Sequence, residues 1–148
     1  MIAAVAVVPS RKVFAVHRTF LVPDGLGKAP VTPSKAALGP IGGGAVRLAP
    51  AGEHLAVGEG LETSLAVLEA TGIPTWAAIS AGGIKALILP PLPMASEVVI
   101  CADNDPPGIS AANEAAERWI TEGRRVRIAL PPVGTDFNDL ATLIEVAA

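Results

Sequence analysis

From His54 onward the chain repeats one rhythm: a short apolar run, a turn marked by glycine or proline, then a segment of helix length. Runs of this kind alternating with helices form βαβ units, which build a mainly parallel sheet through right-handed crossovers. Three of the runs end on carboxylates. His54 to Val57 reaches Glu59, Glu97 to Cys101 reaches Asp103 and Asp105, and Arg125 to Leu130 leads through a Pro/Gly turn to Asp136. Acids in those positions gather at the edge of an open α/β sheet, where such sheets take their ligands. Two unit charges about 4 Å apart repel by roughly 4 kcal/mol at an effective dielectric of about 20, so the gathering calls for a proton or a cation. At neutral pH a magnesium-class cation fits.

The pattern predicts strands at His54 to Gly58, Thr75 to Ser80, Glu97 to Ala102 and Arg125 to Leu130. Helices are expected from about Leu61 to Thr71, from Ser80 towards Pro90, from about Pro107 to Glu122, and from Asp136 to Val146. Gly72 with Pro74, and Gly123, supply two of the helix stops. Ahead of this, Met1 to Val8 and Lys12 to Leu21 are rich in β-branched residues and read as an antiparallel pair. Val22 to Gly44 reads as loop, because Pro23, Pro30, Pro33 and Pro40 would each interrupt a backbone ladder. Ala45 to Leu48 forms a short strand. The expected architecture is a three-layer α/β sandwich on a mainly parallel four-stranded sheet, residues 53–148, with a small β-rich basic segment, residues 1–52, packed on it.

Composition supports one domain: 148 residues can enclose a single core, and that core is aliphatic, since 51% of residues are hydrophobic and only 3% aromatic. Cys101 is the one cysteine, which excludes an internal disulfide and a multi-cysteine zinc site and suits a reducing compartment. No run approaches the roughly 20 apolar residues of a membrane span, and the opening residues lack a signal peptide's basic flank, so a cytoplasmic protein with no membrane partner is expected. There is no tyrosine, so chemistry through a phosphotyrosine cannot be completed by this chain alone. The net charge of −3 conceals a division: residues 1–52 carry six basic residues against one acidic, and residues 53–148 carry five against thirteen. A basic leader on an acidic body is the asymmetry of a protein that holds a polyanion with one part and cations with another.

Each acid admits a plain reading beside the chemical one. Glu59, between Gly58 and Gly60 at a strand-to-helix junction, is either an exposed proton-transfer group or a partner for the dipole of the next helix. Glu62, in the first turn of that helix, fits the dipole role. Asp103 and Asp105 are two apart in extended chain and project to one side, which suits a shared cation; an Asp-x-Asp before Pro106 and Pro107 equally suits a turn or an N-cap. Asp136 and Asp139 fit ligand and helix-cap roles alike.

Taken together, Gly58-Glu59-Gly60, Ala102-Asp103-Asn104-Asp105 with Gly108, and Gly134-Thr135-Asp136-Phe137-Asn138-Asp139 resemble, in order and spacing, the Toprim domain shared by DNA primases, topoisomerases and some nucleases. The resemblance covers about residues 54–146. Val16-His17-Arg18-Thr19-Phe20-Leu21, Gly27-Lys28-Ala29 and Leu38-Gly39-Pro40 look like what precedes Toprim in the primase-helicase branch of mobile elements. That likeness implies nucleotidyl or phosphoryl transfer on nucleic acid, with Glu59 as general acid or base and Asp103, Asp105 and Asp136 holding magnesium or manganese. Thr63 stands where bacterial primases commonly keep a further acid, Thr135 where they often keep lysine, and Asn138 where a second carboxylate is often found.

The function expected is the catalytic module of a DNA primase, with single-stranded DNA and nucleoside triphosphates as partners. Arg18, Lys28, Lys35, Arg47 and Lys85 are the candidate nucleic-acid contacts, each equally consistent with a solvated basic loop. The scattered aromatic residues give no base-stacking platform. No Walker-type motif and no zinc ribbon occur, so a helicase or zinc-binding domain would lie elsewhere in the gene product or on another chain. The alternatives are a Toprim-type nuclease, which would activate water at the same ions, and a degenerate module that binds nucleic acid without turnover.

Overall fold

The computed structural model describes residues 2–7, 12–132, 135 and 137. In chain order the described elements are strands β1 (Ile2–Val7), β2 (Val13–Thr19), β3 (Lys35–Leu38), β4 (Gly44–Arg47) and β5 (His54–Gly58), helix α1 (Leu61–Thr71), strand β6 (Thr75–Ala77), helix α2 (Ala81–Ala86), strand β7 (Glu97–Cys101), helix α3 (Pro106–Thr121) and strand β8 (Arg125–Ala129). All eight strands join one sheet in the order β3-β2-β1-β4-β6-β5-β7-β8. The half β6-β5-β7-β8 is parallel throughout, as expected, and the half formed by β1 to β4 pairs antiparallel. The junction is β4, which lies antiparallel against β1 on one side and against β6 on the other.

Helices cover both faces of the parallel half, because its strands are apolar on both sides. Leu55, Val57, Val98 and Ile100 pack against Ile84 of α2 and against Ala111, Ala112, Ala115 and Trp119 of α3. Ala56 and Cys101 face the other way, onto Val67 of α1. The alanines let α3 lie close to the sheet, and each larger aliphatic side chain buried there contributes about 1.5–3 kcal/mol. A further cluster of Val5, Ala15, Val46, Ala77 and Leu61 carries the core from the antiparallel half to the start of α1. The basic leader therefore shares its interior with the acidic body.

Helix ends follow their sequence signals. Gly72, left-handed at φ 67°, closes α1 and donates its N–H to Leu68 O. Asp105 caps α3 ahead of Pro106 and Pro107, and Gly123 follows its end at φ 92°. Three expectations differ from what is observed. Strand β3 occupies part of the segment read as loop, pairing Lys35 with Thr19 and Leu38 with Val16. It is a four-residue edge strand without β-branched residues, so its local signal is weak and its existence depends on β2. Strand β6 stops at Ala77 rather than Ser80, because Ile79 turns left-handed at φ 76° and Ser80 becomes the cap of α2. Of the helix expected over Asp136 to Val146, only Phe137 is described; the rest lies outside the described residues. Among the described residues no helix is long and apolar enough to cross a membrane.

Candidate functional site at the carboxyl edge of the sheet

The register aligns Gly58 with both Ala77 and Cys101, and Cys101 with Ala129. Glu59 and Asp103 therefore leave neighbouring strands at the same edge. From β5 the chain moves to β6 on one side, and from β7 to β8 on the other, so these two strands flank the point where the winding reverses. Open α/β sheets form their binding crevice there, since the connections on either side diverge.

Glycines let the backbone close around this edge. A Cβ on Gly58 would come within 2.4 Å of the buried Ser64 Oγ, and one on Gly108 within 2.5 Å of the Asp103 carbonyl oxygen. The loop after β6 adds a third wall, and its left-handed Ile79 is a β-branched residue in a region such side chains rarely adopt. Ser80 Oγ accepts from Gly83 N at 3.0 Å to start α2, and the Ala81 backbone N–H reaches the Glu59 carboxylate.

Glu59 is half-buried. Burial, then the charge of Asp103 and more weakly that of Asp105, raises its carboxyl above the ordinary glutamate range, against the opposing Ala81 N–H. The structure thus brings Glu59, Asp103 and Asp105 within electrostatic reach of one another. Asp105 Oδ1 accepts from Gly108 N at 2.7 Å, so this acid is the N-cap of α3 while its charge still acts on Glu59. Asn104, between the two aspartates, donates through Nδ2 to Pro131 O at 2.7 Å and ties the turn after β8 to the turn after β7. Asp136, the remaining expected ligand, lies outside the described residues. Among the described residues no three acids, histidines or cysteines form a metal-binding group.

Asp103 also lines a cleft of about 580 Å³ that runs to the basic leader, where Lys28 and Lys35 stand with Gly60, Glu62 and Thr63 of the α1 entry. Lys35 Nζ lies 2.8 Å from Glu62 Oε2. The pair is partly exposed, so Lys35→Ala is expected to cost no more than about 1 kcal/mol in a urea melt. His17 is buried on the same face of β2 as Thr19; burial, then Lys35, lowers its pKa and leaves the ring neutral.

The other basic candidates lie outside the cleft. Arg18 alternates to the opposite face of β2, its guanidinium 5.8 Å from the Phe20 ring centroid. Arg47 lies 4.6 Å from the Trp76 centroid, and Lys85 pairs with Glu114 at 2.8 Å on α3. His54 faces Glu97 at 3.5 Å at the other edge of the sheet. Burial pushes the Cys101 thiol up to about 11, so it is not a nucleophile at neutral pH. Sequence reasoning missed the Lys35–Glu62 pair: its members are 27 residues apart, and Glu62 carries the ordinary signature of a first-turn acid.

Comparison with known proteins agrees with this fold. The Toprim domain family matches residues 54–143, and a domain of unknown function matches residues 1–48. No curated protein gives a significant match. Among solved structures, a DNA primase domain from Pseudomonas aeruginosa is similar at 20% identity and TM-score 0.57, with 95% of this chain and 52% of that chain covered. A DnaG primase catalytic domain bound to single-stranded DNA is similar at 21% identity and TM-score 0.56, with coverage of 89% and 50%. The Aquifex aeolicus primase, comprising zinc-binding and RNA polymerase domains, is similar at 17% identity and TM-score 0.57, with coverage of 99% and 38%. These identities establish a common fold, and the chain spans about half or less of each of those structures. With the family match extending over most of its length, the chain belongs to the Toprim domain family.

Proposed function

We propose that this chain is the Toprim catalytic module of a primase-type nucleotidyltransferase, which joins nucleoside triphosphates into a short primer on single-stranded DNA. The observation that carries the reading is the meeting of Glu59 with Asp103 at the winding reversal, at the acidic end of a cleft whose other wall is basic. Residues 53–148 are then the catalytic part, and residues 1–52 the basic segment that guides the polyanion to it. Helicase and zinc-binding functions belong to other parts of the gene product or to other chains.

The donor set fits a hard divalent ion: Asp103 and the uncapped oxygen of Asp105 offer carboxylate ligands, and both charges act on the half-buried Glu59 carboxyl. Asp136 completes the proposed ligands. Magnesium or manganese bound there supplies charge for the phosphates and for the developing transfer. Glu59, whose half-buried carboxyl holds its proton more tightly than a solvated one, accepts the proton of the attacking hydroxyl or returns it to a leaving group. Lys28 and Lys35 draw the polyanion into the cleft.

Two measurements test this. Asp103→Asn is expected to weaken manganese binding by at least about tenfold, read by calorimetry, with the far-ultraviolet dichroism unchanged. Labelled triphosphates, template and magnesium are expected to yield oligomers that the variant does not make. Loss of template without oligomers would identify a nuclease, and manganese affinity equal to that of the parent would end the metal-site reading.

A further inference from the structure

The Lys35–Glu62 contact bridges two elements remote in sequence, edge strand β3 and the first turn of α1, and both residues line the cleft that contains Asp103. Burial would raise the Glu62 carboxyl, yet the Lys35 hydrogen bond, the residue's own backbone N–H and the charges of Lys35 and Lys28 hold it below the ordinary glutamate range. Glu62 therefore meets Lys35 as a carboxylate. An ammonium has three donors, and Glu62 takes one of them. Behind the pair, the neutral His17 adds no competing charge. The cleft also takes in Gly60 and Thr63 at the start of α1, where Glu62 is the acid of the first turn.

We infer that Glu62 is a positioning residue, fixing the Lys35 ammonium at the wall of the cleft so that its remaining donors meet the phosphates of a nucleoside triphosphate. The inference rests on the proposed function and extends it to a residue that sequence assigns only to a helix dipole. A lysine on a four-carbon stem loses its rotamer freedom when it grips a ligand. Held in place by Glu62, Lys35 has lost that freedom before the ligand arrives, which is how preorganisation raises affinity.

The sign of one substitution separates positioning from bulk charge. Removing Glu62 deletes a negative charge, so by field alone an anion should bind more tightly; if Glu62 positions Lys35, the anion should bind more weakly. The chain and its variants would be titrated calorimetrically with inorganic tripolyphosphate and, separately, with single-stranded oligothymidylate, both without divalent ion. Lys35→Ala is expected to weaken tripolyphosphate by about tenfold, and Glu62→Ala by several-fold despite its favourable charge change. Arg125→Ala, which removes one cation at the far edge of the sheet, serves as the charge control and should change affinity by less than about twofold. Glu62→Gln keeps an acceptor for Lys35 and should recover part of the loss; it also stands in should Glu62→Ala fail to fold. Tighter or unchanged binding by the Glu62 variants, a Lys35→Ala value equal to that of Arg125→Ala, or losses confined to oligothymidylate would overturn the inference. Manganese binding that depends on Asp103 would then still support the proposed function. Conversely, tripolyphosphate binding that depends on Lys35 and Glu62 would stand if that metal site failed.

Discussion

Replacing Arg124 with methionine is expected to lower folding stability by about 3–5 kcal/mol, among the largest losses available to a single change in this chain. The side chain is 4% exposed and its guanidinium is ringed by acceptors. Nη1 donates to Met94 O and Ala95 O at 2.8 Å, Nη2 donates to Pro90 O at 2.7 Å, and Nε meets Glu122 Oε2 at 3.0 Å. These bonds fasten the connection between α2 and β7, whose Leu87, Leu89 and Ala95 are part of the main core. Methionine matches much of the volume and none of the donors, so three carbonyl oxygens would be left without their partner at about 1–3 kcal/mol each, less whatever water can reach them. Urea denaturation with Arg125→Met beside it is the measurement. Arg125 is 78% exposed and pairs with Glu97 at the surface, so its variant should fall within about 1 kcal/mol of the parent. Equal losses for the two variants would refute this account of Arg124.

On the proposed function, Glu59→Gln is expected to reduce primer synthesis by at least about 100-fold with the fold preserved, the usual loss on removing a positioned proton-transfer group. The amide keeps the shape and still accepts from the Ala81 N–H, but it cannot take up a proton. A second consequence concerns stability in the absence of divalent ion. The folded-state pKa of Glu59 is raised, so this carboxyl contributes stability that is fully present below its unfolded pKa and is lost as pH rises through the folded value. In Glu59→Gln that portion of the slope should vanish, making the variant relatively more stable at neutral pH and relatively less so in acid. Denaturation curves at a series of pH values read the difference directly. Parallel profiles for parent and variant would show that Glu59 carries no such perturbation.

The parallel half and its acids were legible because both signals are local. Apolar runs give the strands, Gly72 and Gly123 mark helix ends, and an acid just past a strand must emerge at the edge of the sheet. What depended on distant partners was not legible. Strand β3 exists by pairing with β2 and has little β-propensity of its own. In sequence Arg124 is one of three arginines, with Arg125 and Arg127, around the start of a strand, and the connection about 30 residues earlier in the chain makes it an interior group. Asp105 shows the opposite limit: the N-cap reading of its motif is met, since Oδ1 accepts from Gly108 N, and the same side chain's charge also acts on Glu59. Among the five basic candidates, sequence could not tell Lys28 and Lys35, which line the cleft, from Arg18, Arg47 and Lys85, because strand alternation and ion pairing divide them.

Strand β4 occupies the flank of β6, pairing Val46 with Ala77 and Arg47 with Trp76. Without it the parallel strands would present a bare hydrogen-bonding margin open to other chains. The antiparallel β4 closes that margin and at the same time joins the leader to the parallel half. That short stretch of backbone is the seam through which the antiparallel and parallel halves become one sheet.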